Sequence, residues 1–320
     1  MKVSVLIPTY NRAYIIREAI ESALAQTFSD FEIVIVDDGS TDNTKGLIES
    51  LGSEKIRYTR HEENLGCSAA CNTAVANAQG EFVAFLDSDD CWKPDYLYRQ
   101  VDFLTRHPEV DAAFSDVEIV SATGKLPSLI ALMKRFPKLL VCNSRAEEYV
   151  LDQRELYLCL LEEVPIKPTA LVVKKEMFSK AGNFDQSWPS GTDWDLFLRF
   201  SRIGRFGYIN RALAIQRRTS DATHLKFREK DKLFLLNVFL NERMKLGGDE
   251  EALAAVNRGI LGHCKDLGWD YLHSGQRTKS FAAYLRGYRE TRESLMLMRA
   301  AAVFLPERVR HALWASLRGS

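Results

Sequence analysis

Three short runs constrain the fold of this 320-residue chain more than anything else in it: "VSVLIP" (3–8), "FEIVIV" (31–36) and "EFVAFL" (81–86). Each is almost wholly apolar, rich in β-branched or aromatic residues, and lacks polar alternation. A strand of that kind is covered on both faces. Between the first two lie Ile15, Ile16, Ala19, Ile20, Ala23 and Leu24, spaced for one face of a helix. Leu47, Ile48 and Leu51 mark a second short helix, and "KIRYTRH" (55–61) a weaker strand. "GCSAACNTAVANAQG" (66–80) reads as a helix of small residues closed at Gly80. Strand and helix alternating in this way predict an α/β protein with a mostly parallel central sheet covered by helices.

Polar residues collect at one kind of place. "PTYNR" follows the first strand, "DDGS" the second, and "DSDD" (87–90) the strand at 81–86. Ligands of open α/β sheets sit outside the carboxyl ends of the strands, so three clusters spread over the sequence should line one crevice. Any single Asp in such a place is most often a turn or cap residue. Asp87, Asp89 and Asp90 within four positions differ, because like charges about 4–6 Å apart disfavour each other's ionised form. A divalent cation relieves them, and Mg²⁺ or Mn²⁺ takes oxygen ligands while leaving room for a ligand's phosphates. No G-x-G-x-x-G follows the first strand and no P-loop occurs anywhere, which argues against hydride-transferring dinucleotide enzymes and P-loop ATPases.

Beyond residue 115 the pattern loosens. "VEIV" (117–120) is a candidate strand, while "LMKRFPKLL" and "EYVLDQRELYLCLLEE" read as helical. "TALVVKKEMFSKAGNFD" (169–185) gives a strand, a helix and a Gly turn. "SGTDWDLFLRFSRIGRFGYI" starts a helix with Leu196, Phe197 and Phe200 inward, and "ALAIQRR" (212–218) is the last expected strand. From about Lys226 onward every segment reads as helix. The expected division is therefore 1–222, subdivided into 1–115 and 116–222, and a helical region 223–320. Asp193 and Asp195 sit at a helix start, where the dipole and free amides favour negative charge. Asp193, the first acid after a Gly-containing turn, is the better candidate for chemistry.

Composition bounds the partners. Lys plus Arg and Asp plus Glu each number 43, which gives no sign of nucleic-acid binding. Residues 261–320, however, carry ten Lys or Arg against five Asp or Glu. Six cysteines show no paired metal spacing; Cys67 and Cys71, at i and i+4, read as small packing residues. Such usage suits a reducing cytoplasm. "MKVSVLIPTYNR" reads as a strand rather than a signal peptide, and no apolar run approaches the ~18 residues of a membrane span.

"SVLIPTYNR", "ALAQTFSDFEIVIVDDGSTDNT", "NLGCSAACNTAVANAQGEFVAFLDSDDCWKPDYL" and "GNFDQSWPSGTDWDLFLRF" together resemble family 2 glycosyltransferases of the GT-A fold, over roughly residues 1–220. The resemblance implies a Rossmann-like sheet with a nucleotide-sugar site and a helical C-terminal extension. Pro8, Thr9, Tyr10 and Asn11 fall where such enzymes hold the nucleoside, and Asp38 matches the acid that reads the base. Asp87, Ser88 and Asp89 match the D-x-D motif, with Asp89 the direct ligand of Mg²⁺ or Mn²⁺. Asp193 matches the general base. Arg217, Arg218 and His224 fall on the loop over the diphosphate, with His224 a candidate metal ligand. Two positions depart from the family: Cys71 stands where A-R-N has its Arg, and Thr192 replaces the Glu before the base.

The implied reaction is a single in-line displacement with inversion, from a nucleoside-diphosphate sugar to the hydroxyl of a saccharide or lipid-linked acceptor. Trp188 and Trp194 flank the base and are acceptor-site candidates; Trp92, beside the acids, reads as packing. A nucleotidyltransferase is a rival, but "PTYNRA" lacks the glycines of a triphosphate loop. A non-catalytic nucleotide-sugar-binding subunit is the other. The basic amphipathic stretch 293–320 is a candidate contact with the inner face of an anionic membrane, and equally a helix docked on its own domain.

Overall fold

The computed structural model describes residues 2–140, 146–187, 192–218, 223–306 and 308–309, with the side chains of 223–228 and 231 outside the described set. Two compact units emerge, 1–227 and 228–320.

The first unit opens with β1 (Val3–Thr9), α1 (Ile16–Leu24), β2 (Phe31–Asp37), α2 (Thr44–Ser50), β3 (Ile56–Arg60), α3 (Cys67–Asn77) and β4 (Phe82–Phe85). It continues through β5 (Cys91–Trp92), α4 (Tyr96–Arg106), β6 (Ala112–Ser121), β7 (Gly124–Leu126), α5 (Phe136–Leu139), β8 (Glu148–Val150) and α6 (Gln153–Leu160). It closes with β9 (Leu171–Lys174), α7 (Glu176–Ala181), α8 (Thr192–Ile203) and β10 (Phe206–Arg218). The sheet order is β3-β2-β1-β4-β9-β6-β10-β5, with β7 on β6 and β8 on β10.

Strands β3, β2, β1 and β4 run parallel, and β9 enters antiparallel between β4 and β6. Val3, Val5, Leu6 and Ile7 of β1 have no exposed surface, and neither do Ile33, Ile35 and Val36 of β2. Each such side chain contributes about 1.5–3 kcal/mol through burial. In α1 the buried residues are Ile16, Ala19, Ile20 and Ala23, the face read from the sequence. The register pairs Thr9 with Asp37 and Leu6 with Phe85, so the chain leaves β1, β2 and β4 at one edge of the sheet.

Three local expectations differ. Glu148–Val150 is a strand, pairing Tyr149 with Tyr208 of β10; α6 begins only after Asp152, whose carboxylate accepts from the Glu155 amide at 2.9 Å. A three-residue edge strand is too short to show a period of two. The last strand starts at Phe206 rather than 212, and its register shifts between Ile209 and Ala214 break the alternation that would have revealed it. In "LMKRFPKLL" the α-helix is a single turn, Phe136–Leu139.

Helix α9 (Thr223–Lys245) leads into the second unit, followed by α10 (Glu250–His273), α11 (Arg277–Thr291) and α12 (Ser294–Ala302). Asp249 caps α10 through the Ala252 amide at 3.1 Å. Helices α10 and α11 approach closely at Gly268, where a Cβ would lie 2.5 Å from the Tyr284 ring. No helix among the described residues is long and apolar enough to cross a membrane.

Candidate active site

The loops after β1 and β2 are stapled to each other. Asn11 takes a positive φ of 52°, its amide donates to Ser40 Oγ at 2.8 Å, and its Oδ1 accepts from the Thr41 amide at 2.8 Å. The Ala13 amide donates to Asp42 Oδ2 at 3.0 Å, and that of Arg12 to Thr44 Oγ1 at 3.1 Å. Asn11 is thus committed to holding the loops, while Tyr10 is 44% exposed beside it. Pro8 is half-buried and Thr9 buried.

Asp37 accepts from the Ser40 amide (2.8 Å) and the Tyr58 hydroxyl (2.6 Å). Asp38 accepts from the Leu65 amide at 3.0 Å, the Gly66 amide at 2.8 Å and His61 Nδ1 at 2.7 Å. A carboxylate can only accept, so Nδ1 carries the proton there. Both Asp38 oxygens are engaged within the chain, and a base edge would have to share one of them. Gly39, at φ +78°, lets the loop after β2 touch the loop after β3: a Cβ there would meet the Glu63 carbonyl carbon at 2.7 Å.

The acid turn follows β4. The Leu86 amide still donates to the Leu6 carbonyl at 2.9 Å, and the Asp90 amide closes a turn onto the Asp87 carbonyl at 3.0 Å. Asp87 and Asp89 are half-buried, Ser88 and Asp90 buried. The Asp87 carboxyl is pushed up to about 7 by burial and by the charges of Asp89 and Asp193, against the pull of Lys167 and Arg12. Burial, Asp87 and Asp89 also push Asp90 well up. Arg12 Nη2 lies 3.7 Å from Asp89 Oδ2.

Asp193, about a hundred positions away in sequence, therefore shares this electrostatic environment. It stands in the first turn of α8. The thiol of Cys71 is raised by its hydrogen bond to Cys67, by burial and by the charges of Asp87 and Asp193, so α3 forms another wall. The hydroxyls of Ser68 and Thr192 meet at 2.8 Å, tying α3 to the first residue of α8. Asn72 adds a double tie: its Nδ2 donates to the Phe184 carbonyl and its Oδ1 accepts from the Phe184 amide, each at 2.9 Å.

Some expected positions fall elsewhere. Trp194 is a correction: it is 9% exposed and its indole donates to the Leu160 carbonyl at 2.7 Å, so it is a core residue rather than an acceptor platform. Asp195 is engaged by Arg199 Nε at 2.9 Å. Trp92 is buried, stacked on Tyr96 at 4.2 Å and hydrogen-bonded to the Thr169 carbonyl. Arg217 turns toward the acid turn: Nε donates to the Asp89 carbonyl at 2.6 Å, its amide to Asp90 Oδ1 at 3.0 Å, and the guanidinium pairs with Glu18. Arg218 is exposed. Trp188 and the side chain of His224 lie outside the described residues.

Arg12, Lys167, Ser68 and Glu18 carry no role in the sequence reading. Arg12 lay inside a quoted motif. For Lys167 no local signal existed, since 80 residues separate it from Asp87 in the chain.

The donor set at the acid turn consists of hard oxygens with excess negative charge, which fits a divalent cation. Among the described residues no three His, Cys, Asp or Glu are grouped so as to hold a metal ion.

A sequence model of the family described as "Glycosyl transferase family 2" matches residues 4–171. The chain belongs to glycosyltransferase family 2. An uncharacterized glycosyltransferase of Rickettsia typhi is 31% identical over 221 residues, 69% of this chain and 64% of that protein. The Escherichia coli UDP-Glc:alpha-D-GlcNAc-diphosphoundecaprenol beta-1,3-glucosyltransferase WfgD is 32% identical over 153 residues, 47% of this chain and 60% of its own length. The match thus spans less than two thirds of either of these family 2 relatives. The crystal structure of S. aureus TarS 1–349 in complex with UDP-GlcNAc superposes with a TM-score of 0.67 at 19% identity, covering 91% of this chain and 82% of TarS 1–349. That likeness shows the fold, and the GT-A architecture expected for this family 2 member is the one present.

Proposed function

We propose that this chain is an inverting glycosyltransferase that moves a sugar from a nucleoside diphosphate to an acceptor hydroxyl, with Asp193 as general base. Residues 1–222 would carry the reaction and 223–320 would form an accessory helical region. The observation that supports this reading best is the meeting of Asp193 with the acid turn, near enough for its charge to act on Asp87. The donor diphosphate belongs on one side of such a crevice and the acceptor on the other.

Asp193 takes the acceptor hydroxyl's proton as the new bond to the anomeric carbon forms. A positioned base of this kind contributes about 10²–10⁴-fold. The bond from that carbon to the diphosphate oxygen breaks, and its electron pair leaves with the nucleotide. Asp89 and Asp87 would hold Mg²⁺ or Mn²⁺, with His224 as a further candidate ligand. When bound, the cation offsets the charge developing on the departing diphosphate. Tyr10 and Pro8 face the nucleoside from one side, the loop stapled by Asn11 and Asp38 from the other, and Ser88 and Arg218 complete the donor side. Trp188 remains the acceptor-side aromatic in this reading.

WfgD is named for UDP-glucose and an acceptor on diphosphoundecaprenol, and TarS was solved with UDP-GlcNAc. The WfgD name supports, as part of this reading, a UDP-hexose donor, a lipid-linked or saccharide acceptor and a place in cell-surface polysaccharide synthesis. The test is Asp193→Asn. Nucleotide binding should persist while transfer to acceptor falls by about 10²–10⁴-fold. Near-normal turnover would remove Asp193 as the base.

A membrane contact accompanies the lipid-linked acceptor. Leu297, Met298, Phe304 and Val309 are 42–55% exposed, with Arg292 and Arg308 exposed among them. Apolar residues and arginines together suit the interface of an anionic bilayer. Leu297→Glu with Phe304→Glu should abolish cosedimentation with anionic vesicles; unchanged sedimentation would dismiss the contact.

A further inference from the structure

The acid turn is held from behind by a residue that the family resemblance would place on the diphosphate. Arg217, near the end of β10, makes three separate attachments. Its amide donates to Asp90 Oδ1 at 3.0 Å, its Nε to the Asp89 carbonyl at 2.6 Å, and its Nη1 to the Glu18 carboxylate. Glu18 belongs to the first turn of α1, the helix that follows the nucleoside loop. One side chain therefore joins β10, the acid turn and α1.

The backbone supports the same connection. Just after the acid turn, Cys91 and Trp92 pair with Ile215 and Ala214 of β10. Asp90 is 2% exposed, and its Oδ1 anchors the turn by accepting from the Arg217 amide. The Asp89 carbonyl accepts from Arg217, while its carboxylate stands 3.7 Å from Arg12 Nη2. A guanidinium suits this place because its planar fork serves two acceptors in fixed directions, which an ammonium cannot do.

We propose that Arg217 and Glu18 form a clamp that positions the Asp89 carboxylate for the divalent cation, so that Arg217 acts as a positioning residue and not as a diphosphate ligand. The proposal rests on the metal reading of Asp89 given above. Arg217 Nη2 is buried with no partner among the described residues, so it is not held out toward solvent where a ligand would arrive.

The two roles separate in binding experiments on the full chain. Mn²⁺ affinity is measured by electron paramagnetic resonance with UDP present, and UDP affinity by calorimetry in EDTA. Arg217→Ala should weaken Mn²⁺ binding roughly 10–100-fold, the usual effect of removing an outer support of a metal ligand. Glu18→Ala, at a side chain 65% exposed and so tolerant of change, should weaken it in the same direction. Arg217→Lys should fall between, restoring the bond to the Asp89 carbonyl without the second arm. UDP affinity in EDTA should stay at the wild-type value in all three, and kcat should recover at saturating Mn²⁺.

Unchanged Mn²⁺ affinity in Glu18→Ala overturns the clamp. So does loss of UDP affinity in EDTA for Arg217→Ala, which would put the guanidinium on the diphosphate. Asp89→Ala is the control. If it leaves Mn²⁺ affinity unchanged, the metal reading fails and takes the proposal with it; if it abolishes binding while both clamp variants behave as wild type, only the clamp fails.

Discussion

The hydroxyls of Ser68 and Thr192 lie 2.8 Å apart in a buried contact, 124 positions apart in sequence, and they fix the helix start that presents Asp193. Thr192 stands where the sequence resemblance implies a Glu, and in this chain its hydroxyl makes a neutral hydrogen bond to Ser68. Ser68→Ala should cost about 1 kcal/mol of stability. A base displaced by a fraction of an ångström should lower kcat by roughly tenfold or more, with donor KM little changed. Steady-state kinetics beside a denaturation curve checks both. A stability loss with unchanged kcat would make the contact merely architectural.

Trp194 gives a prediction of the opposite kind. Its indole fills the core and donates to the Leu160 carbonyl at the end of α6. Trp194→Phe leaves that buried carbonyl unpaired and should cost about 1–3 kcal/mol. Acceptor KM should not move. Urea titration with acceptor saturation curves distinguishes this from a sugar-stacking role, which would raise KM at unchanged stability.

Gly39 is the close-approach point between the loop after β2 and the loop after β3. Gly39→Ala would force φ +78° on a side-chain-bearing residue and push its Cβ within 2.7 Å of the Glu63 backbone. Such local strain costs on the order of 1–3 kcal/mol. The displaced loop also carries the amides of Leu65 and Gly66 that hold Asp38, so UDP affinity should drop along with the melting temperature. Retained affinity in a destabilised variant would detach Asp38's loop from nucleotide binding.

What the sequence made legible follows its periodicities. The apolar runs of β1, β2 and β4 have a single physical reading, and their polar ends had to meet once the strands were parallel. The acid turn and Asp193 could be paired only through the family pattern, because nothing local in "GTDWDLF" points at residue 87. Trp194 was misplaced because an aromatic beside a base looks the same from sequence whether it faces a sugar or a core. Arg217 shows the limit most clearly. Its charge was visible, but its partners, Glu18 and the Asp89 carbonyl, lie 199 and 128 positions away. Only the sheet order, which puts β5 on β10, brings them together.

The helical unit should weaken in acid through His263. Burial, with a smaller contribution from the Lys232 ammonium, lowers this imidazole from 6.5 to about 4. Lys232 itself pairs with Asp270 at 2.6 Å, and the ring packs 5.1 Å from that of Phe239. The neutral ring is thus the form the fold accepts. Because the folded value is depressed, the stabilisation is fully present above pH 6.5 and is lost as pH falls from there toward 4. About 3 kcal/mol is the ceiling for this loss at roughly 1.4 kcal/mol per unit, and partial exposure of the ring screens it below that. His263→Phe should flatten the dependence of melting temperature between pH 6.5 and 4.5 relative to the parent chain. Carboxylates titrating in the same range act on both proteins and cancel in the difference. An identical slope in the two proteins would show that the imidazolium is accommodated in the fold and that acid acts on this unit through other groups.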